Sequence, residues 1–292
     1  MKGVKLENER LLIQVNEQGS ELARIYDKKE QREVLWDASP EIWPRYAPIL
    51  FPFIGNCYEG QYRYNDQVYP MTPHGFARDM NFDLDTLSED EVWFALNDTE
   101  ETEWVYPFQF TLSAGHRLEE NRIHVLWKLK NRGNREMLYM LGGHPAFRAP
   151  KGKTIYDFTF RFDQQDSLHY EAPNQLGYTD PAKSGILLLD EGKAALTKGF
   201  FEKPLTYIFD RAQVGSVSLL LPGEEPYVTL ECQGIPYLGV WTMEATHPFV
   251  CLEPWFGRCA DDGFEGELKE RAGVMSLAPG ETFEAEYTIV IH

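Results

Sequence analysis

Apolar and polar positions alternate with a period of two along most of this chain. Ile123, Val125, Trp127 and Leu129 follow that spacing, and Phe283, Ala285, Tyr287, Ile289 and Ile291 repeat it at the C-terminal end. Successive side chains of a strand point to opposite faces, so the pattern predicts half-buried β-strands. Comparable segments cover residues 11–15, 21–25, 92–96, 108–114, 155–162, 217–221, 227–230 and 237–243, with turn formers such as Pro222-Gly223 between them. Only residues 265–272 carry a helical pattern, and the βα alternation of parallel-sheet enzymes is missing. The expectation is an all-β, mainly antiparallel fold. No linker composition or repeat period divides the chain, so residues 1–292 are expected to form a single domain.

Composition sharpens that picture. The chain has 28 Lys and Arg against 46 Asp and Glu, a net charge of -18, which would repel phosphate backbones and anionic lipid. Nucleic acid and membrane partners are not expected. Aromatic residues make up 14%, as 18 Phe, 15 Tyr and 7 Trp, enough for a large β core and a stacking surface besides. Cys57, Cys232, Cys251 and Cys259 show no CxxC spacing, and the N-terminal residues lack the apolar core of a secretory signal. A cytoplasmic, soluble protein, monomeric or homodimeric, is the expectation.

No local motif announces a common chemistry. There is no HxH or HExxH pair, no zinc-like Cys and His spacing, no GxSxG, no GxxxxGK[ST] and no GxGxxG. Neither a metal nor another cofactor is expected. Four segments nonetheless set polar residues in apolar, turn-rich surroundings. Arg45 opens a stretch running on from Trp43 that is stiffened by Pro44, Pro48 and Pro52. A lone guanidinium there needs a partner or a ligand. His74 in His74-Gly75-Phe76-Ala77-Arg78 and His144 in Gly142-Gly143-His144-Pro145 are set on turns, where imidazoles can serve acid and polarising roles. Glu253, in Leu252-Glu253-Pro254-Trp255-Phe256, shares a strand face with Phe249 and Cys251. Desolvation beside Trp255 and Phe256 would make this carboxylate a better base. Each residue taken singly has a plainer reading: a structural histidine, a salt bridge from Arg45 to an acid, or a pair between Glu253 and Arg258.

Taken in order, the Arg in a Pro-rich stretch, HGFAR, GGHPAF, LEPWFG and the late Leu277-Ala278-Pro279-Gly280-Glu281 resemble the aldose 1-epimerase (galactose mutarotase-like) family, nearest its LacX-like branch. The resemblance covers essentially the whole chain and implies a β-supersandwich of large antiparallel sheets. It implies interconversion of the α and β anomers of an aldose without a cofactor. By motif, Glu253 takes the role of general base, His144 that of general acid and His74 that of the second active-site histidine. Arg45 and Asp210 match the residues that hold sugar hydroxyls, while Trp43, Trp255 or Phe53 could stack on the sugar. Two other readings remain open within the fold. One is a hexose-6-phosphate mutarotase with Arg78 as phosphate contact, for which the plain alternative is a salt bridge to Asp79. The other is a carbohydrate-binding protein without catalysis. A glycoside hydrolase fits less well, since only one carboxylate has a distinctive setting.

Overall fold

The computed structural model describes residues 3–202, 205–243 and 249–292, and antiparallel strands dominate it. The largest sheet has nine strands, in the order Lys193–Ala195, Thr159–Phe162, Ser216–Leu221, Glu225–Glu231, Thr282–Ile291, Arg122–Asn131, Phe110–Glu119, Glu91–Asn97 and Asp83–Leu87. The two alternating segments that were clearest in the sequence are neighbours at its centre, with Ile123 opposite Ile289 and Val125 opposite Tyr287. Their apolar residues therefore face one way together, and Trp127, Leu129, Tyr287 and Ile289 are all buried.

A second sheet runs in the order Thr206–Phe209, Tyr237–Trp241, Phe249–Phe256, Leu141–Gly143 and Ile49–Leu50, with Ala146–Arg148 also pairing to Phe249–Phe256. It lies against the nine-stranded sheet: a Cβ added to Gly143 would meet the Tyr287 hydroxyl at 2.8 Å. The two faces of this second sheet belong to different apolar clusters. Tyr207, Phe209, Leu238, Val240, Val250 and Leu252 join the main core, whereas Ile208, Trp255, Phe249, Cys251 and Ala146 form smaller clusters on the other side. That other side carries Glu253. A four-stranded sheet of Gly3–Glu7, Leu11–Asn16, Leu22–Asp27 and Arg32–Glu33 completes the larger layers.

The fold class is the expected one, and three local departures have physical causes. The segment expected as a strand over 155–162 becomes one only at Thr159–Phe162. Before it, the Thr154 hydroxyl accepts from Tyr156 N–H and the Asp157 carboxylate from Thr154 N–H, closing a 3-10 turn at Ile155–Asp157. Residues 265–272, read as helical, reduce to a 3-10 turn at Leu268–Glu270. The one α-helix among the described residues, Glu100–Val105, lies instead in the acidic run, where Thr99 and Thr102 cap each other reciprocally. Glu100, Glu101 and Glu103 sit in its first turn, where the helix dipole favours negative charge.

Candidate active site

The strand Phe249–Phe256 is buried on both faces apart from its last residue, and it organises the site. Two segments pair with it on one side: Gly142 lies opposite Trp255 and Ala146 opposite Cys251. The interval is the same on both strands, so residue 144 falls opposite residue 253. Pro145 has no N–H to donate, and its carbonyl instead accepts from Leu252 N–H at 3.2 Å. His144 Nε2 consequently lies 3.0 Å from Glu253 Oε2, with the side chains 8% and 1% exposed. The approach is not aligned as a hydrogen bond, and neither Glu253 Oε2 nor His144 Nδ1 has a hydrogen-bond partner among the described residues.

On the other side, Gly239 lies opposite Glu253 and Trp241 opposite Cys251. Opposed residues share a face, so Gly142, Gly239, Trp241, Glu253 and Trp255 project together. The two glycines are required by close approach, not by backbone angle. A Cβ on either would meet the Trp255 ring at 2.6 Å. Of these, Trp241, Glu253 and Trp255, with Trp43, His74, Arg78, His144 and Ile208, line a cavity of about 340 Å³, at the small end of ligand pockets. Trp43 closes one side, its ring 5.0 Å from that of His144 and 5.6 Å from that of Trp241. Glu253 is the only carboxylate in the lining among the described residues.

His74 arrives from a loop. It has φ +66° and is followed by Gly75 at φ +72°, where a Cβ would collide with the Phe51 carbonyl oxygen at 2.2 Å. Its ring stands edge-on to His144 with centroids 5.6 Å apart. Gly55 N–H donates to His74 Nδ1 at 3.2 Å, so the neutral ring carries its proton on Nε2. Burial, followed by the charges of His144, Arg78 and Arg45, holds the His74 pKa well below the usual histidine value. His74 is therefore a neutral hydrogen-bond donor near physiological pH.

Arg78 lines the cavity and donates to the Pro73 carbonyl at 2.6 Å, while its Nε is buried without a hydrogen-bond partner among the described residues. Burial and the neighbouring Arg45 lower its pKa. Arg45 itself does not line the cavity. It donates to Asp79 at 2.6 Å and to the Arg78 carbonyl at 3.3 Å, so the arginine facing the cavity is Arg78. Arg78 Nε is also 3.8 Å from Asp79, giving two guanidinium groups one shared carboxylate.

Asp210 is likewise outside the lining: it follows the end of the strand Thr206–Phe209, and its carboxylate is taken by His169 at 3.2 Å and Arg211 at 3.0 Å. Phe53 is in the core against Tyr62, not at the cavity. Arg258 pairs with Glu171 and Asp261 instead of Glu253. His247, whose sequence setting favours a surface residue over one at the rim of the site, lies outside the described residues.

Sequence reading missed Trp241, Asn56 and Ile208 in the lining and Glu21 behind it. The two-residue period already put Trp241 on one face with Gly239, but only the strand register shows that this is the Glu253 face. Glu21 is buried and accepts from the N–H groups of Tyr46 at 2.7 Å and Ala47 at 2.9 Å, anchoring the segment that carries Trp43. Desolvation raises its pKa, opposed by those bonds and by the charges of Arg45 and His144.

The site has the parts for proton transfer to and from adjacent oxygens: a carboxylate, an imidazole beside it, a neutral imidazole donor and an arginine, between indole walls. The sequence model described as aldose 1-epimerase matches residues 2–289. The plasmid and chromosomal forms of Protein LacX from Lactococcus lactis are each 28% identical over 297 residues, covering 99% of both chains. Among solved structures, a galactose mutarotase related enzyme from Lactobacillus acidophilus superposes with a TM-score of 0.93 at 28% identity, covering 100% of this chain and 97% of that one. A galactose mutarotase-like protein from Lactobacillus casei gives 0.91 at 26% identity and 100% of both. With almost its full length matched by the family model, and its fold shared with these proteins, the chain belongs to the aldose 1-epimerase family.

Proposed function

We propose that this protein is a cofactor-independent isomerase that interconverts the α and β anomers of an aldose at the Glu253–His144 cavity. The observation that carries the reading is the 3.0 Å separation of the two groups. In a cyclic aldose the anomeric hydroxyl and the ring oxygen are bonded to the same carbon, C1. A base for one and an acid for the other must therefore be close neighbours. Glu253 takes the proton from the C1 hydroxyl, whose O–H electrons form the carbonyl. The bond from C1 to the ring oxygen breaks, and His144 gives that oxygen a proton. After rotation about C1–C2 the ring oxygen attacks the other face of the aldehyde, and both protons return. His74 offers its Nε2 proton near the ring oxygen, Arg78 holds hydroxyls, and Trp43, Trp241 and Trp255 enclose the apolar faces of the sugar. Trp255 Nε1 is buried without a hydrogen-bond partner among the described residues and is a further donor for a hydroxyl. The four free, buried cysteines fit a cytoplasmic setting.

Polarimetry of a freshly dissolved α-aldose tests the reading, with faster mutarotation than in buffer expected. Sugar binding without acceleration would instead make this a carbohydrate-binding protein. A second reading, preference for an aldose 6-phosphate, is favoured by Arg78 Nε, which has no hydrogen bond among the described residues, and by the two guanidinium groups sharing Asp79. A phosphate would supply their missing negative charge. On that reading kcat/KM is higher for the 6-phosphate than for the free sugar, and Arg78→Ala lowers it selectively by about 10-fold or more, matching a charge-assisted hydrogen bond of ~1.5–3 kcal/mol. Equal rates on both sugars in wild type would reject it.

A further inference from the structure

We infer that His144, Cys251 and Glu253 together form a binding site for one thiophilic divalent cation of the zinc class, and that occupation blocks the cavity. Cys251 and Glu253 are two residues apart on one strand and so project from the same face, and His144 stands across from Glu253. One ligand atom from each, nitrogen, sulfur and oxygen, lies within 4.8 Å of the others, and all three residues are buried. Small side-chain adjustments would bring such a trio around a tetrahedral ion.

Two further observations point to a ligand. Among the described residues, Glu253 Oε2 is buried without a hydrogen-bond partner, and so is His144 Nδ1. A carboxylate oxygen on a residue only 1% exposed, 3.0 Å from the His144 ring without an aligned hydrogen bond, is costly to bury and is relieved by a cation. The donor set selects the metal: imidazole and thiolate favour zinc or cobalt over magnesium or calcium.

Binding is an exchange. The cation forms a bond to Cys251 Sγ as the S–H bond breaks, and the proton leaves to solvent; no electrons are transferred. Thiolate and carboxylate then balance the two positive charges of the ion. That the bound ion inhibits rests on the proposed function; that it binds does not.

Titration with Co²⁺ tests the binding, because a sulfur-to-cobalt charge-transfer absorption reports thiolate ligation without any turnover. One Co²⁺ per chain with that band is expected, with about one proton released per ion. Cys251→Ser and Cys251→Ala should abolish the band and weaken Zn²⁺ binding, measured against a chromophoric chelator, by more than about 10-fold, the loss seen for even an outer partner of a metal site. Metal-free Cys251→Ala should keep the wild-type mutarotation rate and resist Zn²⁺ at concentrations that stop the wild type. No charge-transfer band, or a band that survives in both Cys251 variants, overturns the inference. A wild type that binds Co²⁺ with the band but never accelerates mutarotation defeats the proposed function and leaves the metal site standing.

Discussion

His144 and Glu253 meet because the two segments flanking Pro145 keep register with one partner strand. Both residues were readable as candidates in the sequence, one from GGHPAF and the other from LEPWFG, since each is a polar side chain in apolar, turn-rich surroundings. Their adjacency was not readable, because it depends on pairing between residues more than a hundred positions apart. The same limit explains the arginines. Arg45 stands out locally for its uncharged neighbourhood, but Asp79 satisfies it, and Arg78, read as a phosphate contact with a salt bridge to Asp79 as the plain alternative, both faces the cavity and lies near Asp79. Asp210 is on the right strand face by period, yet the strand stops one residue earlier and neighbours claim the carboxylate. The histidines should separate by role. His144→Ala, which removes the acid, is expected to slow mutarotation by about 10²–10⁴-fold, whereas His74→Ala, which removes a neutral donor, should retain a measurable enzymic rate above that of His144→Ala. Polarimetry on the two variants checks this, and equal, full activity in both would reject the acid assignment.

The strands with strict alternation were legible with little error in their boundaries, for example Arg122–Asn131 and Thr282–Ile291. Where local polar side chains bond their own backbone, as at Thr154 and Thr99, the period was a poorer guide than capping chemistry. The six-stranded sheet carries a constraint invisible to periodicity: Gly142 and Gly239 flank Trp255 from adjacent strands and give its indole room to lie flat. Gly239→Ala is therefore expected to destabilise by about 1–3 kcal/mol, the usual range for overpacking, and to displace the Trp255 ring from the cavity wall. Urea unfolding would register the first effect and tryptophan fluorescence the second. An unchanged midpoint with unchanged emission would show that the ring has other space to occupy.

For the molecule as a whole, the aromatic excess divides between a core shared by two large sheets and a few indoles around one cavity, while beside that cavity the acidic chain sets two arginines, Arg45 and Arg78, on one carboxylate, Asp79. Among the described residues no helix is long and apolar enough to cross a membrane. The acid response of the fold has a specific expected source. His116 is buried in the nine-stranded sheet between its cross-strand neighbours Val125 and Val92, and burial pushes its pKa down to about 3. Unfolded histidine takes up a proton near 6.5, so the folded state is favoured fully above that pH and loses stability as pH falls from 6.5 toward 3. At pH 5 the loss from this residue is about 2 kcal/mol. His74, also depressed, adds in the same direction. His116→Leu should flatten the decline in unfolding free energy between pH 7 and pH 5 by about that amount. A decline as steep as that of the wild type would mean that other groups set acid stability.

The central claim is that Glu253 moves the anomeric proton. Glu253→Gln keeps the shape of the side chain and removes the base, so the most direct test is the mutarotation rate of a freshly dissolved α-aldose with equal amounts of folded wild-type and Glu253→Gln protein. The account predicts clear acceleration by wild type and a rate close to that of buffer for the variant; wild-type acceleration by Glu253→Gln would contradict it.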